Sequence, residues 1–95
     1  MHLLAKFKII GHSMEPQIKN GKSVLVSGIS YWFKKPKIGD IVAVRKEEKV
    51  FVKRITKIKE KEYFLEGDNK QDSLDSREFG YILRRNIIGK VIYKL

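Results

Sequence analysis

Apolar and polar positions alternate with a period of two along most of the chain. Residues 23–27 (SVLVS) are rich in β-branched types and sit between turn formers, which predicts a strand. Residues 41–45 (IVAVR), behind the turn signal Pro36-Lys37-Ile38-Gly39-Asp40, predict another. The stretch 49–58 (KVFVKRITKI) predicts a longer strand, and 62–66 (EYFLE) pairs with it across a Lys-Glu-Lys turn. The tail, 87–95 (IIGKVIYKL), alternates apart from Gly89. Two short stretches, 15–19 and 29–34, have the composition of helical turns. Repeats and low-complexity linkers are absent from the sequence. Short strands at close spacing predict a mainly β fold, a small rolled or coiled sheet or a partly open barrel with one or two short helical turns. At 95 residues, the chain reads as one domain, 1–95.

Composition narrows the chemistry. A hydrophobic fraction of 42% suits a folded domain rather than a disordered one. There is no cysteine, which removes disulfides and thiolate metal sites. The net charge of +10 attracts polyanions, whether nucleic acid or an anionic membrane surface. It also eases deprotonation of each lysine, because neighbouring cations disfavour one more. Apolar runs such as Tyr31-Trp32-Phe33 and Ile41-Val42-Ala43-Val44 fall far short of the ~20 residues of a spanning helix. The start, MHLLAKFKII, is broken by Lys6 and Lys8 and lacks a cleavage-site pattern, so it does not read as a signal peptide.

Three features carry candidate chemistry. In a strand over 49–58, Phe51, Lys53 and Ile55 share one face, and Val50, Val52 and Arg54 the other. If the Lys53 face is the inner one, burial disfavours its ammonium form, and adjacent Arg54 pushes the same way. A lysine acting as a base must be neutral, which from an ordinary value of ~10.4 requires roughly 4 kcal/mol against the charged form at neutral pH. The alternative is a lysine that snorkels, with its stem buried and its head in water. Ser13, in Gly11-His12-Ser13-Met14-Glu15-Pro16, stands at a strand-to-turn junction beside backbone N–H groups able to hold an oxyanion. It equally fits an ordinary helix N-cap. The third feature is the polar interval 67–77 (GDNKQDSLDSR), long for so small a domain and therefore either floppy or functional.

Histidine and metal readings fare poorly. His12 adjoins Ser13, and neighbours in extended chain point to opposite faces, so a Ser-His-Asp triad is disfavoured. His2 lies near the terminus. The stretch DNKQDSLD fails as a calcium loop, because Lys70 takes a liganding position and the glycine after the third ligand is missing. No metal and no cofactor is expected.

Four separated segments, in order, resemble type I signal peptidases. Gly11-His12-Ser13-Met14-Glu15-Pro16-Gln17-Ile18 resembles their nucleophile box, Gly39-Asp40-Ile41-Val42 a Gly-Asp-Ile-Val box, and Val52-Lys53-Arg54-Ile55 the box of the general-base lysine. Gly67-Asp68-Asn69 with Ser73, Asp75, Ser76, Arg77 and Gly80 is similar to the Gly-Asp-Asn…Ser-x-Asp-Ser-Arg…Gly box. The first three also resemble LexA-type self-cleaving repressors, whereas the fourth is specific to the signal peptidase branch. The boxes span roughly positions 9 to 91.

The resemblance implies a LexA/signal peptidase type of sheet and a serine endopeptidase that removes a leader, signal or pro-peptide from protein substrates. It implies Ser13 as nucleophile, Lys53 as general base and Ser73 as the hydroxyl that orients the lysine amine. Asp75 and Arg77 would form an ion pair holding the loop, with Asp68 and Asn69 supporting it. Gly11 occupies the place of a hydroxyl oxyanion donor in some members, which leaves the Ser13 N–H for that task. Met14 and Pro16 would shape the wall behind the nucleophile. Substrate would bind extended, as an added strand. Lys70 departs from the usual arginine, and the short continuation after Lys53 makes a minimal core similar to that of nickel superoxide dismutase maturation peptidases.

On partners, the expectations are a monomer that binds a peptide or protein substrate and no nucleic acid. Tyr31, Trp32, Phe33, Lys34 and Lys35, with Lys37 and Lys22 nearby, could seat the domain on anionic lipid. The competing reading of Trp32 is a core residue. The resemblance points to membrane association; without a spanning segment, a complete chain would be cytoplasmic or peripheral. The rival class is a small basic β-barrel that binds nucleic acid, or an anionic membrane surface, without catalysis.

Overall fold

Strands with apolar residues on both faces need cover on both, and the sheet obtains it by curling and by borrowing loops. The computed structural model describes residues 3–71 and 75–95. Its strands are β1 (Leu4–Lys8), β2 (Ser23–Ser27), β3 (Ile41–Lys46), β4 (Lys49–Lys59), β5 (Glu62–Glu66), β6 (Ile82–Leu83) and β7 (Ile87–Lys94). They form one open antiparallel sheet in the order β1-β2-β7-β3-β4-β5-β6. Two helical turns, α1 (Ser30–Phe33) and α2 (Ser76–Phe79), and a 3-10 turn over Arg84–Asn86 complete the described elements. The mainly β fold expected from the alternation is the fold observed.

Alternation sorts the core into two clusters. Val42, Val44, Ile55, Leu65 and Ile87 pack on one face with Tyr31, Phe51 and Phe79. Val24, Val26, Ala43 and Val52 pack on the other with Ile9, Met14, Ile18 and Val50. The register shifts where β7 meets β2 and β3, and again where β4 meets β5 between Ile55 and Lys57. Such bulges bend and twist a sheet, which is how a narrow one rolls. Gly89 lies where β7 passes closest to β2: a Cβ there would stand 2.4 Å from the Ser27 carbonyl oxygen.

Three local outcomes differ from the sequence reading. Residues 15–19 form turns and not a helix. Their backbone is held by separate turn hydrogen bonds, Glu15 N–H to His12 O and Ile18 N–H to Met14 O, while the Glu15 carboxylate accepts from the Asn20 N–H and contacts His12 Nδ1. Residues 4–8 are a strand, because Lys6 and Lys8 alternate with half-buried Ala5 and Phe7 rather than interrupting an apolar run. Helical turn α2 was also unforeseen. Its signal is Asp75 three positions before Glu78, and the Asp75 side chain accepts from the Arg77 N–H as a cap.

Candidate active site

β4 carries Lys53 between Phe51 and Ile55, whose side chains belong to one core cluster, while Val50 and Val52 belong to the other. Lys53 is only 3% exposed. Its Nζ donates a hydrogen bond to Ser13 Oγ over 2.7 Å and lies 6.0 Å from the centre of the Phe51 ring. The amine is therefore inside the protein and does not snorkel. Desolvation of this kind disfavours the ammonium form.

Ser13 reaches that position through a closed loop. The Ile9 N–H donates to Lys22 O and the Gly21 N–H to Ile9 O, so the ends of the 9–22 segment meet. Inside it, the Gly11 N–H donates to Asn20 Oδ1. Gly11 has φ 104°, a left-handed value that glycine adopts without strain. Met14 and Ile18 are fully buried, and the Ile18 N–H donates to Met14 O. These anchors hold Ser13 half-buried at the rim, with its hydroxyl in contact with Lys53 and not capping a helix. His12 is exposed and its ring is engaged with Glu15. That contact, with the Asn20 N–H, holds the Glu15 carboxyl below its ordinary value.

The 67–77 stretch braces the same spot. The Asn69 N–H donates to Ser13 O over 2.8 Å, and Asn69 Nδ2 donates to His12 O. Asp68 receives two hydrogen bonds from Arg54, from Nε and Nη2, each 2.9 Å, and Arg54 Nη1 donates to Gly39 O. The Arg54 charge is thus balanced by Asp68, and the expected push of Arg54 on Lys53 is offset. The Asp68 contact also holds the guanidinium above its ordinary value. Asp75, 0% exposed, accepts from the N–H groups of Gly67 and Arg77 and from the Arg77 guanidinium, which also donates to Lys70 O. Lys70 pairs with Glu66. Ser73 lies outside the described residues.

Beside Ser13 runs a cleft of about 400 Å³. One wall is the 7–13 segment and the other is residues 50–53 of β4. These β4 residues pair with β3, whereas pairing with β5 begins only at Arg54. Among the described residues, that edge of β4 has no strand partner along the cleft, the arrangement to which an extended segment can add as a strand. Met14 lies in the core next to Ser13, but Pro16 is exposed and lines a separate depression with Leu95. The aromatic trio at 31–33 is split. Tyr31 is buried and donates to Asp40 Oδ2 over 2.6 Å, which removes it from any lipid-facing set; burial, and then Asp40, push its hydroxyl well above the ordinary range. Trp32 and Phe33 are exposed, so Trp32 is not a core residue.

Sequence reasoning missed Arg54 as a tie between three segments. Its signal was an arginine and an aspartate in two separate boxes, 14 positions apart. Among the described residues, no helix is long and apolar enough to cross a membrane.

Comparison with known proteins places these features in context. A family model described as Peptidase S24-like matches residues 4–92. Signal peptidase I of Buchnera aphidicola subsp. Baizongia pistaciae is 52% identical over 31 residues, covering 33% of this chain and 10% of that protein. Signal peptidase I of Buchnera aphidicola subsp. Acyrthosiphon pisum matches to the same extent. A probable signal peptidase I-1 of Synechocystis sp. is 24% identical over a 129-residue alignment covering 86% of this chain and 66% of that protein. The chain thus spans about a tenth of the Buchnera proteins and just under two thirds of the Synechocystis one.

Proposed function

The chain belongs to the Peptidase S24-like family, and from that premise we propose that it is a serine endopeptidase with a Ser13–Lys53 pair. The observation that carries the proposal is the 2.7 Å contact between Lys53 Nζ and Ser13 Oγ, made by an amine that is 3% exposed. With the amine neutral, the same contact runs the other way: the Ser13 hydroxyl donates to Nζ. Lys53 takes the proton as Oγ attacks the substrate carbonyl, forming a tetrahedral oxyanion. The Ser13 N–H stabilises that oxyanion, an effect worth about 3–4 kcal/mol per donor in other hydrolases. Lys53 then gives the proton to the departing amine and leaves an acyl-enzyme. Water, deprotonated by the Lys53 amine, then attacks the acyl-enzyme ester, and Lys53 returns that proton to Ser13 Oγ as the carbon–oxygen bond breaks and the acid leaves.

The cleft supports the substrate class. An extended peptide laid along residues 50–53 would gain main-chain hydrogen bonds from the open β4 edge, and the apolar walls, Ile9 and Val52 among them, would take alternate side chains. We assign the natural substrate to the leader or pro-peptides of proteins, a class to which the similarity to signal peptidase I points. The compact set of boxes is similar to that of nickel superoxide dismutase maturation peptidases. Asn69, Asp68, Arg54, Asp75 and Arg77 act as positioning residues, holding the nucleophile's backbone and the loop beside it; Ser73 is assigned the orientation of the lysine amine. The test is cleavage of an unbiased peptide library read by mass spectrometry. The native chain should give defined cuts and Ser13→Ala none. Equal cleavage by both would remove the proposal.

A further inference from the structure

Helical turn α1 presents two aromatic side chains to solvent. Trp32 is 55% exposed and Phe33 is 89% exposed, with half-exposed Ile29 one turn before Phe33. Burying such surface against water-free matter is favourable, and an exposed cluster of this kind marks an interaction site. The turn is firmly seated: Tyr31 anchors it to Asp40, and the Trp32 N–H donates to Ile29 O.

Cations flank the aromatics on both sides. A depression of about 540 Å³ combines Ile29 and Phe33 with Lys34, Lys35, Lys37 and Lys90. Another, of about 390 Å³, combines Trp32 and Phe33 with Lys34, Lys35, Lys61 and Arg84. Carboxylates are sparse: Glu60 lines the second, and Asp40, in the first, is buried against Tyr31 and Lys90.

We propose that the α1 corner docks on an anionic lipid bilayer, with Trp32 and Phe33 at the headgroup–acyl boundary and the surrounding lysines on phosphate-bearing headgroups. Tryptophan favours that boundary, and basic side chains near an anionic leaflet each add to binding. Nucleic acid would satisfy the same charge. The aliphatic Ile29 beside the aromatics favours hydrocarbon over base stacking, which needs planar partners. The proposal rests on exposed side chains and charge and is independent of the peptidase reading.

Trp32 is the single tryptophan of the chain, so its fluorescence reports on this corner alone. Vesicles of phosphatidylcholine mixed with phosphatidylglycerol should shift its emission to the blue and carry the protein upward on flotation, while phosphatidylcholine alone should do neither. Phe33→Ala should weaken binding, and Lys34→Ala with Lys35→Ala should weaken it about fivefold for each lysine removed. Three outcomes overturn the proposal: no binding to the mixed vesicles; binding unchanged in these variants; or Trp32 quenched by a single-stranded oligonucleotide while vesicles leave it unaltered.

Discussion

Lys53 Nζ and Ser13 Oγ are hydrogen-bonded at 2.7 Å although 40 positions separate them in the chain. The contact joins a strand that buries an amine to a loop whose own hydrogen bonds hold a hydroxyl at the rim. Neither partner is placed by local sequence alone, and each demands a cost in stability that the surrounding core offsets.

That cost is measurable. Replacing Lys53 with methionine keeps the volume and removes an amine that is poorly solvated. Lys53→Met should abolish peptide cleavage while stabilising the fold by about 0.5–2 kcal/mol at neutral pH. The gain should shrink as pH rises toward the ordinary lysine value, because the unfolded chain then also holds a neutral amine. Thermal melts of native and variant protein across pH read both effects. A destabilised Lys53→Met at neutral pH would contradict this account of the buried amine.

A second prediction concerns the brace. Asp68→Asn breaks the charged pair with Arg54, next to the residue whose N–H holds Ser13 O. Misplacement of a nucleophile by about 1 Å costs on the order of 10²-fold. We expect kcat to fall about 10–100-fold with KM little changed and the fold retained. A rise confined to KM would assign Asp68 to substrate binding instead.

The close approach of β7 to β2 predicts a strictly structural effect. Gly89→Ala would put a methyl 2.4 Å from the Ser27 carbonyl, a backbone atom with no rotamer to relieve it. A loss of at least about 1–3 kcal/mol in urea unfolding is expected. An unchanged midpoint would show that the strands separate more freely than this packing implies.

Acid should loosen the nucleophile loop. The Glu15 carboxyl is held below its ordinary value of 4.5 by the His12 ring and then by the Asn20 N–H. A carboxyl lowered on folding contributes stability that is complete above its ordinary value and is lost as pH falls through the lowered one. Glu15→Gln should therefore lower the melting temperature slightly at neutral pH and flatten the acid limb, so that the two profiles converge as pH falls through the lowered value. An acid limb identical in both proteins would place the sensitivity elsewhere.

The legible parts of the molecule were those set by alternation or by short boxes. The face shared by Phe51, Lys53 and Ile55 followed from strand periodicity alone, and the pairing of β4 with β5 followed from the apolar runs and the turn between them. The Asp75–Arg77 contact joins two near neighbours and was expected from the resemblance. The 9–22 loop was not legible, because its shape comes from Asn20 and Glu15 side chains bonding to distant backbone, and the same residues read locally as a helix start. The Arg54–Asp68 tie was missed for a related reason: its partners lie in two separate boxes, and only the three-dimensional register brings them together. Trp32 shows that hydrophobicity does not dictate burial. A large aromatic on a one-turn helix points wherever its buried neighbour, here Tyr31, leaves it.

The most direct test is titration of the Lys53 amine itself, followed by NMR of a chain carrying carbon-13 at the lysine side chains and assigned by comparison with Lys53→Met. The account predicts one amine that loses its proton well below the ordinary lysine value of ~10.4 and tracks the alkaline rise in activity. A Lys53 that titrates with the surface lysines, or that remains protonated where the enzyme is active, would contradict it.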